Sequence, residues 1–202
     1  MSSLSSALIL IAAAVLYALA HSLSAARFFK AWGRRHLPGF DRWWRFVYNV
    51  LALVTLLPVL WLMVTLPDRW LYVIDPPIAL LMQLGQFLSV VGLATAVLQS
   101  NPLYFLGLAQ LMGDVEERGD TLVTTGFYAY MRHPLYVFSI FILWFSPTMT
   151  VNQFVVYVLA TIYFYVGSVH EEHRLVRTFG LEYERYRRSV PWLRLFPWQR
   201  VG

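Results

Sequence analysis

The stretch that decides the fold is Pro134–Val169, PLYVFSIFILWFSPTMTVNQFVVYVLATIYFYVGSV, 36 residues without a charge. A single helix of that length would be about 54 Å long at about 1.5 Å per residue. The hydrocarbon core of a bilayer is only about 30 Å thick. The stretch must therefore fold back on itself. Ser146-Pro147 marks the turn, because proline ends or kinks a helix. The spacing predicts a helical hairpin with arms Leu135–Phe145 and Val151–Val169. The first arm is short for a bilayer, so it penetrates part-way or tilts.

Three more uncharged stretches precede it: residues 1–26, 46–66, and 76–113, the last with its most helix-like part at Ile78–Gln99. The chain as a whole fits that pattern. Of its 202 residues 58% are hydrophobic and 13% charged, with a mean hydropathy of +0.55. A soluble domain carries about a quarter charged residues. A disordered chain needs low hydrophobicity and high net charge, and this composition excludes it. The expected fold is all-α: a polytopic membrane helix bundle of five transmembrane segments, the last two forming the C-terminal hairpin. It is read as one integral membrane domain, with N-terminal spans in 1–113 and a second half in 114–202.

The basic residues orient it. Arg27–Arg45 holds six Lys and Arg, the 67–75 loop only Arg69, the 100–133 segment Arg118 and Arg132, the hairpin tip none, and the tail after His170 seven. Cytoplasmic loops carry the Lys/Arg excess. Five spans with the N-terminus outside and the C-terminus inside satisfy that rule. They also put the 100–133 loop on the same cytoplasmic side as the tail. The net charge of +5 is then orientation information, and no nucleic-acid partner is expected. Residues 171–188, EEHRLVRTFGLEYERYRR, carry Leu175, Val176, Phe179 and Tyr183 at helical spacing. They predict a cytoplasmic amphipathic C-terminal helix, with Gly180 as a break. Met1-Ser2-Ser3-Leu4 has no positive charge, so the N-terminus does not read as a signal peptide.

There is no cysteine, which removes disulfides, thiolate metal sites and a cysteine nucleophile. The five histidines are scattered, His170 and His173 being a bare pair, and no metal is expected. Two polar clusters remain. Thr121 to Tyr136 is a turn-rich loop leading into the first hairpin arm, with Pro134 suited to the first helical turn. Arg132 and His133 then stand at a helix N-terminus near the bilayer edge. There Arg132 would anchor to lipid phosphate, or the pair would serve a site. The second cluster is Glu171-Glu172, two carboxylates beside the last apolar span. They would pair with arginines such as Arg174 or Arg132, or bind an ammonium group of a ligand.

Leu122-Val123-Thr124-Thr125-Gly126-Phe127-Tyr128, Arg132-His133-Pro134-Leu135-Tyr136, Glu171-Glu172-His173-Arg174-Leu175, Phe179-Gly180-Leu181-Glu182-Tyr183-Glu184-Arg185-Tyr186 and Val190-Pro191 occur in that order. The set resembles the isoprenylcysteine carboxyl methyltransferase superfamily, whose relatives include phospholipid N-methyltransferases and methanethiol S-methyltransferases. It covers residues 120–198. The resemblance implies S-adenosylmethionine (SAM) as cofactor, bound at the cytoplasmic side. Thr121, Leu122 and Val123 would contact it through backbone groups. Tyr128, His133, Pro134, Leu135 and Tyr136 would line its pocket, and Glu171 would take its ammonium. Arg132 and His133 are the catalytic candidates. The acceptor would be a small thiol or lipophilic molecule, reached from the membrane lipid.

Carboxyl methyltransferases of the superfamily carry an arginine just before the glutamate pair. Here Tyr163–His170 has none, which counts against a prenylcysteine carboxylate. The turn Ser146–Thr150 and the Ala20-His21-Ser22 segment are similar to the thiol methyltransferases. The run from His21 to Lys30 also resembles NnrU-like proteins of nitrogen-oxide metabolism, which offers a non-enzymatic alternative. His21 is either a packed intramembrane histidine or a polar group at the substrate tunnel.

Overall fold

The computed structural model describes residues 3–113 and 121–193. Arg118 and two of the basic residues counted in the tail, Arg194 and Arg200, lie outside them. The element order is α1 (Ser3–Ala25), α2 (Arg27–His36), α3 (Phe40–Thr65), β1 (Trp70–Val73), α4 (Ile78–Gln99), α5 (Pro102–Leu106), α6 (Leu108–Leu111), a 3-10 turn at Gly126–Ala129, α7 (Pro134–Trp144), β2 (Thr148–Thr150), α8 (Val151–Phe179) and α9 (Leu181–Ser189). Among the described residues four helices, α1, α3, α4 and α8, are long and apolar enough to cross a membrane, and α7 is shorter. Leu16, Leu53, Leu81 and Val166 are among the many large apolar side chains they expose. That suits a lipid surround, where helices satisfy their own backbone groups.

The chain divides into two compact units. The first holds residues 3–73, 103–113 and 148–160 of the described chain; the second holds 74–102, 121–147 and 161–193.

In the first unit α1 packs on α3, and Leu10, Val59 and Val156 form its buried core, flanked by Tyr17, Leu56 and Met63. The expectation of an all-α chain is corrected here. β1 and β2 pair antiparallel, Tyr72 opposite Met149 and Val73 opposite Thr148, so the hairpin tip is held by the 67–75 loop. Trp70, Tyr72 and Val73 are strand formers, but four residues carry too little pattern to be read as a strand.

The start of α8 is set by a reciprocal cap. The Gln153 backbone N–H donates to Thr150 Oγ1 (3.2 Å), and the Thr150 N–H donates to Gln153 Oε1 (2.9 Å). This is a capping box, Thr-x-x-Gln, and it satisfies two donors at the helix N-terminus. Asp68 Oδ1 accepts a third, from Asn152 N–H at 3.1 Å. The buried Asn152 amide in turn donates to Leu66 O at 3.2 Å.

In the second unit α4 and α7 lie side by side, brought close by glycines. A Cβ on Gly92 would stand 2.5 Å from the Phe138 ring, and one on Gly85 3.2 Å from that of Phe145. Gln86 Nε2 donates to Ile142 O (2.8 Å), and Trp144 Nε1 to Thr161 Oγ1 (2.9 Å).

α8 corrects a second expectation. Residues 171–188 do not form one separate helix, because nothing between Val169 and Glu171 breaks the turn. α8 runs on for 29 residues, about 43 Å. It exceeds a bilayer core by about two turns, so Glu171 and Glu172 belong to its polar extension beyond the spanning part. The break comes at Gly180, φ +55°, after which α9 begins. Leu175, Val176, Phe179 and Tyr183 do share a side. They pack with Tyr186, Val190 and Leu122 in one cluster.

The contrast between the two glycines is testable. Gly92→Ala should cost about 1–3 kcal/mol by overpacking, and Gly85→Ala clearly less. Thermal unfolding in detergent should therefore show the larger fall in midpoint for Gly92→Ala.

Candidate functional site

The polar cluster at the end of α8 is built from three pieces of the second unit: the loop before α7, the extension of α8, and the segment from α9 to Trp192. Pro134 occupies the first turn of α7, where a missing N–H costs nothing. His133 precedes it as the N-cap, but its side chain makes no cap hydrogen bond. The ring turns instead to α8. Its Nε2 stands 3.0 Å from Glu172 Oε1, and its Nδ1 3.7 Å from Glu171 Oε2. The imidazole is buried, between the rings of Tyr136 (5.7 Å) and Trp192 (5.9 Å).

Arg132 organises the cluster. Its Nε and NH2 both reach Glu172 Oε1, at 2.8 and 2.7 Å. Its NH1 donates to Val190 O (2.6 Å) and Arg187 O (3.2 Å), and its backbone N–H to Pro191 O (3.1 Å). One residue therefore ties the loop, α8 and the end of α9 together. Charge-assisted bonds of this kind are about twice as strong as neutral ones.

The two glutamates differ. Glu172 Oε1 is saturated by Arg132 and His133, and its side chain is 17% exposed. Glu171 is 34% exposed, with Arg174 NH2 at 3.3 Å and a hydrogen bond from the Tyr136 hydroxyl. Burial pushes both carboxyls up. The His133 contacts outweigh it, together with Arg132 at Glu172 and with Arg174 and Tyr136 at Glu171, and hold both below the usual carboxylate value. Both stay ionised at neutral pH, Glu172 as the clamp and Glu171 as the more accessible anion.

The loop supplies the facing wall. Gly126, φ +61°, leaves room for the side chain of Gln99, whose Oε1 accepts the Phe127 N–H at 3.0 Å. The Tyr128 carbonyl accepts the Tyr186 hydroxyl at 2.6 Å, and its own hydroxyl bonds Ser100. Burial pushes the Tyr128 phenol up to about 12, so it remains a neutral donor. Leu122 packs against the buried cluster of Tyr183, Tyr186 and Val190. Thr121 is exposed, Val123 half-buried. Among the described residues, the backbone groups of Thr121 to Thr124 make no hydrogen bond to other backbone.

Of the residues singled out in the sequence, Leu122, Tyr128, His133, Pro134, Leu135, Tyr136 and Glu171 are thus carried by this second unit with Arg132. His21 lies in the first unit, its Nε2 2.6 Å from the Tyr48 hydroxyl and its ring stacked on Tyr17. Sequence reasoning missed Gln99, Ser100, Trp192 and Ser168. Trp192 Nε1 donates to the fully buried Ser168 hydroxyl at 2.9 Å. A tryptophan directly after the Val190-Pro191 motif was the available signal.

The four long apolar helices define a helical integral membrane protein. Residues 9–146 match the NnrU protein family and residues 106–198 the Ergosterol biosynthesis ERG4/ERG24 family. The chain is 30% identical over 188 residues to methanethiol S-methyltransferase 1 of Bradyrhizobium diazoefficiens, covering 92% of this chain and 65% of that protein. It is 32% identical to methanethiol S-methyltransferase of Crocosphaera subtropica, covering 88% of this chain and 70% of the relative. It is 33% identical over 112 residues to protein-S-isoprenylcysteine O-methyltransferase of Schizosaccharomyces pombe, covering 54% and 44%. No solved structure matches. The chain belongs to the NnrU and methanethiol S-methyltransferase group of the isoprenylcysteine carboxyl methyltransferase-like superfamily.

The Arg132 clamp predicts a sharp loss on breaking it. Arg132→Met leaves Glu172 without its guanidinium and should cost about 3–5 kcal/mol. Arg132→Lys should not restore it, since an ammonium cannot make the same fork. Limited proteolysis should then cut within 181–193 at low protease in both variants and spare the wild type.

Proposed function

We propose that the protein is an integral membrane SAM-dependent methyltransferase whose acceptor is a small thiol. The observation that carries the reading is the division of labour between Glu172 and Glu171. One is locked to Arg132 and His133; the other keeps an ionised carboxylate one-third exposed, and among the described residues the backbone of Thr121 to Thr124 makes no hydrogen bond to other backbone.

The residues fit that cofactor. Its amino acid end needs an anion for the ammonium and donors for the carboxylate, and its adenine needs an apolar or aromatic slot. Glu171 would hold the ammonium. The backbone of Thr121, Leu122 and Val123 would take up polar edges, and Tyr128, His133, Pro134, Leu135 and Tyr136 would form the walls. When bound, the cofactor would supply an activated methyl group on a sulfonium: an acceptor thiolate, its proton given up to solvent, would bond to the methyl carbon in line, and the cofactor would leave as the thioether S-adenosylhomocysteine. That chemistry needs positioning and exclusion of water more than an acid or base. Arg132 and His133 therefore act as positioning residues: they fix Glu172, and through it the α8 extension that presents Glu171.

The thiol acceptor rests on the relatives, two named as methanethiol S-methyltransferases, and on the absence of an arginine across Tyr163–His170. The same reading places the N-terminus outside and the C-terminus in the cytoplasm. It counts five membrane segments with α7 entering part-way, and lays α9 against the cytoplasmic face. The spans of residues 1–113 serve the methyl-transfer half, 114–202. His21, hydrogen-bonded to Tyr48, would serve the acceptor side. The non-enzymatic alternative draws on the NnrU match, but that match ends at residue 146, before either glutamate.

Purified protein with labelled SAM and methanethiol should yield labelled dimethyl sulfide; prenylcysteine analogues and phosphatidylethanolamine should not be methylated. Glu171→Gln should weaken cofactor binding in calorimetry at least about tenfold, with an unfolding midpoint close to wild type. Absence of binding by the wild-type protein would sink the proposal.

A further inference from the structure

The turn between α2 and α3 carries a feature that methyl transfer does not use. α2 follows the last turn of α1 and precedes the apolar part of α3, so it lies where two spans leave the bilayer. At helical spacing Arg27, Lys30 and Arg34 fall on one side, Phe28, Phe29 and Trp32 on the other, and Arg35 at the boundary. Phe28 is 64% exposed and Trp32 50%. Phe29 instead packs on Trp44 at 4.9 Å. The helix is tied down from behind. The Phe40 ring lies directly on Gly33, where no Cβ could fit, and stacks on Trp44 at 5.1 Å.

Between α2 and α3 this leaves an open concavity of about 620 Å³, whose charged lining residues are Arg34, Arg35, Asp41 and Arg42. Arg34 Nε is bonded to both Asp41 oxygens, at 2.8 and 3.0 Å, so the one acid there is already neutralised. Arg42 gives its Nε to Leu111 O at 3.1 Å. Arg35 has no hydrogen-bond or ion-pair partner among the described residues. The concavity therefore keeps net positive charge, with exposed aromatic rings on the neighbouring helix face. A basic amphipathic helix with Trp and Phe on its apolar face lies in the membrane interface and attracts anionic lipid.

We propose that the α2–α3 turn is a binding site for the headgroup of an anionic phospholipid, its phosphate held by Arg35 and Arg42 and its acyl chains alongside Phe28 and Trp32. The site lies within the first unit and is independent of the methyltransferase reading. Its occupant is a bilayer lipid, not a free anion, because the aromatic face would have no use for inorganic phosphate.

The full-length protein, delipidated in a neutral detergent, would be offered phosphatidylglycerol, phosphatidylcholine of the same chains, or glycerol phosphate. Bound lipid would be counted by native mass spectrometry. Wild type should retain phosphatidylglycerol over phosphatidylcholine and bind no glycerol phosphate. Arg35→Gln should lose about fivefold of that preference, and the Arg35→Gln/Arg42→Gln pair more. Arg177→Gln, an exposed arginine of α8, should lose none. Equal retention of the two lipids by wild type, binding of glycerol phosphate, or a preference unchanged in the double variant would overturn the proposal. So would an equal loss in Arg177→Gln.

Discussion

The pairing of Arg132 with Glu172 is the constraint on which the polar end of this molecule depends. Forty residues separate them in the chain, and the pair is mostly withdrawn from solvent. A charge in that position is costly unless paired, so neither residue is dispensable to the other. The arginine adds three bonds to the carbonyls of Arg187, Val190 and Pro191, which fixes where α9 ends. Loop, α8 and C-terminal segment then become one frame. Within it Glu172 absorbs the Arg132 guanidinium, and Glu171 stays one-third exposed beside Arg174.

The same economy governs the helices. Glycines at 85 and 92 allow α4 and α7 to approach, and Gly126 and Gly180 permit positive φ at the turn beside Gln99 and at the end of α8. Thr150, Gln153 and Asp68 satisfy the N-terminus of α8 where the hairpin turns. Unsatisfied backbone groups are expensive away from water, so a helix starting there needs such a cap.

Much of the fold was legible in the sequence. The third span, Ile78–Gln99, was read to the residue, and α7 differs by one residue at each end, because uncharged length and proline are strong signals. The strand pair was not legible, since four residues of Trp70–Val73 carry no usable period. Nor was the continuity of α8 through Glu171, because charge marks where a membrane ends and not where a helix does. In the candidate site, the ordered motifs named residues that the fold carries in the second unit. They did not give the partners: which glutamate meets Arg132 depends on rotation about α8, which only packing decides. Gln99 and Ser168 were invisible for the same reason, being ordinary polar residues within apolar runs.

The central claim is that Glu172 is the clamp and Glu171 the ligand. A structure of the protein with S-adenosylhomocysteine in lipid nanodiscs tests it most directly. The ligand's ammonium should lie within hydrogen-bond distance of Glu171, with the Arg132–Glu172 pair intact. An ammonium bound to Glu172 with Arg132 displaced, or a ligand that touches neither glutamate, would contradict it.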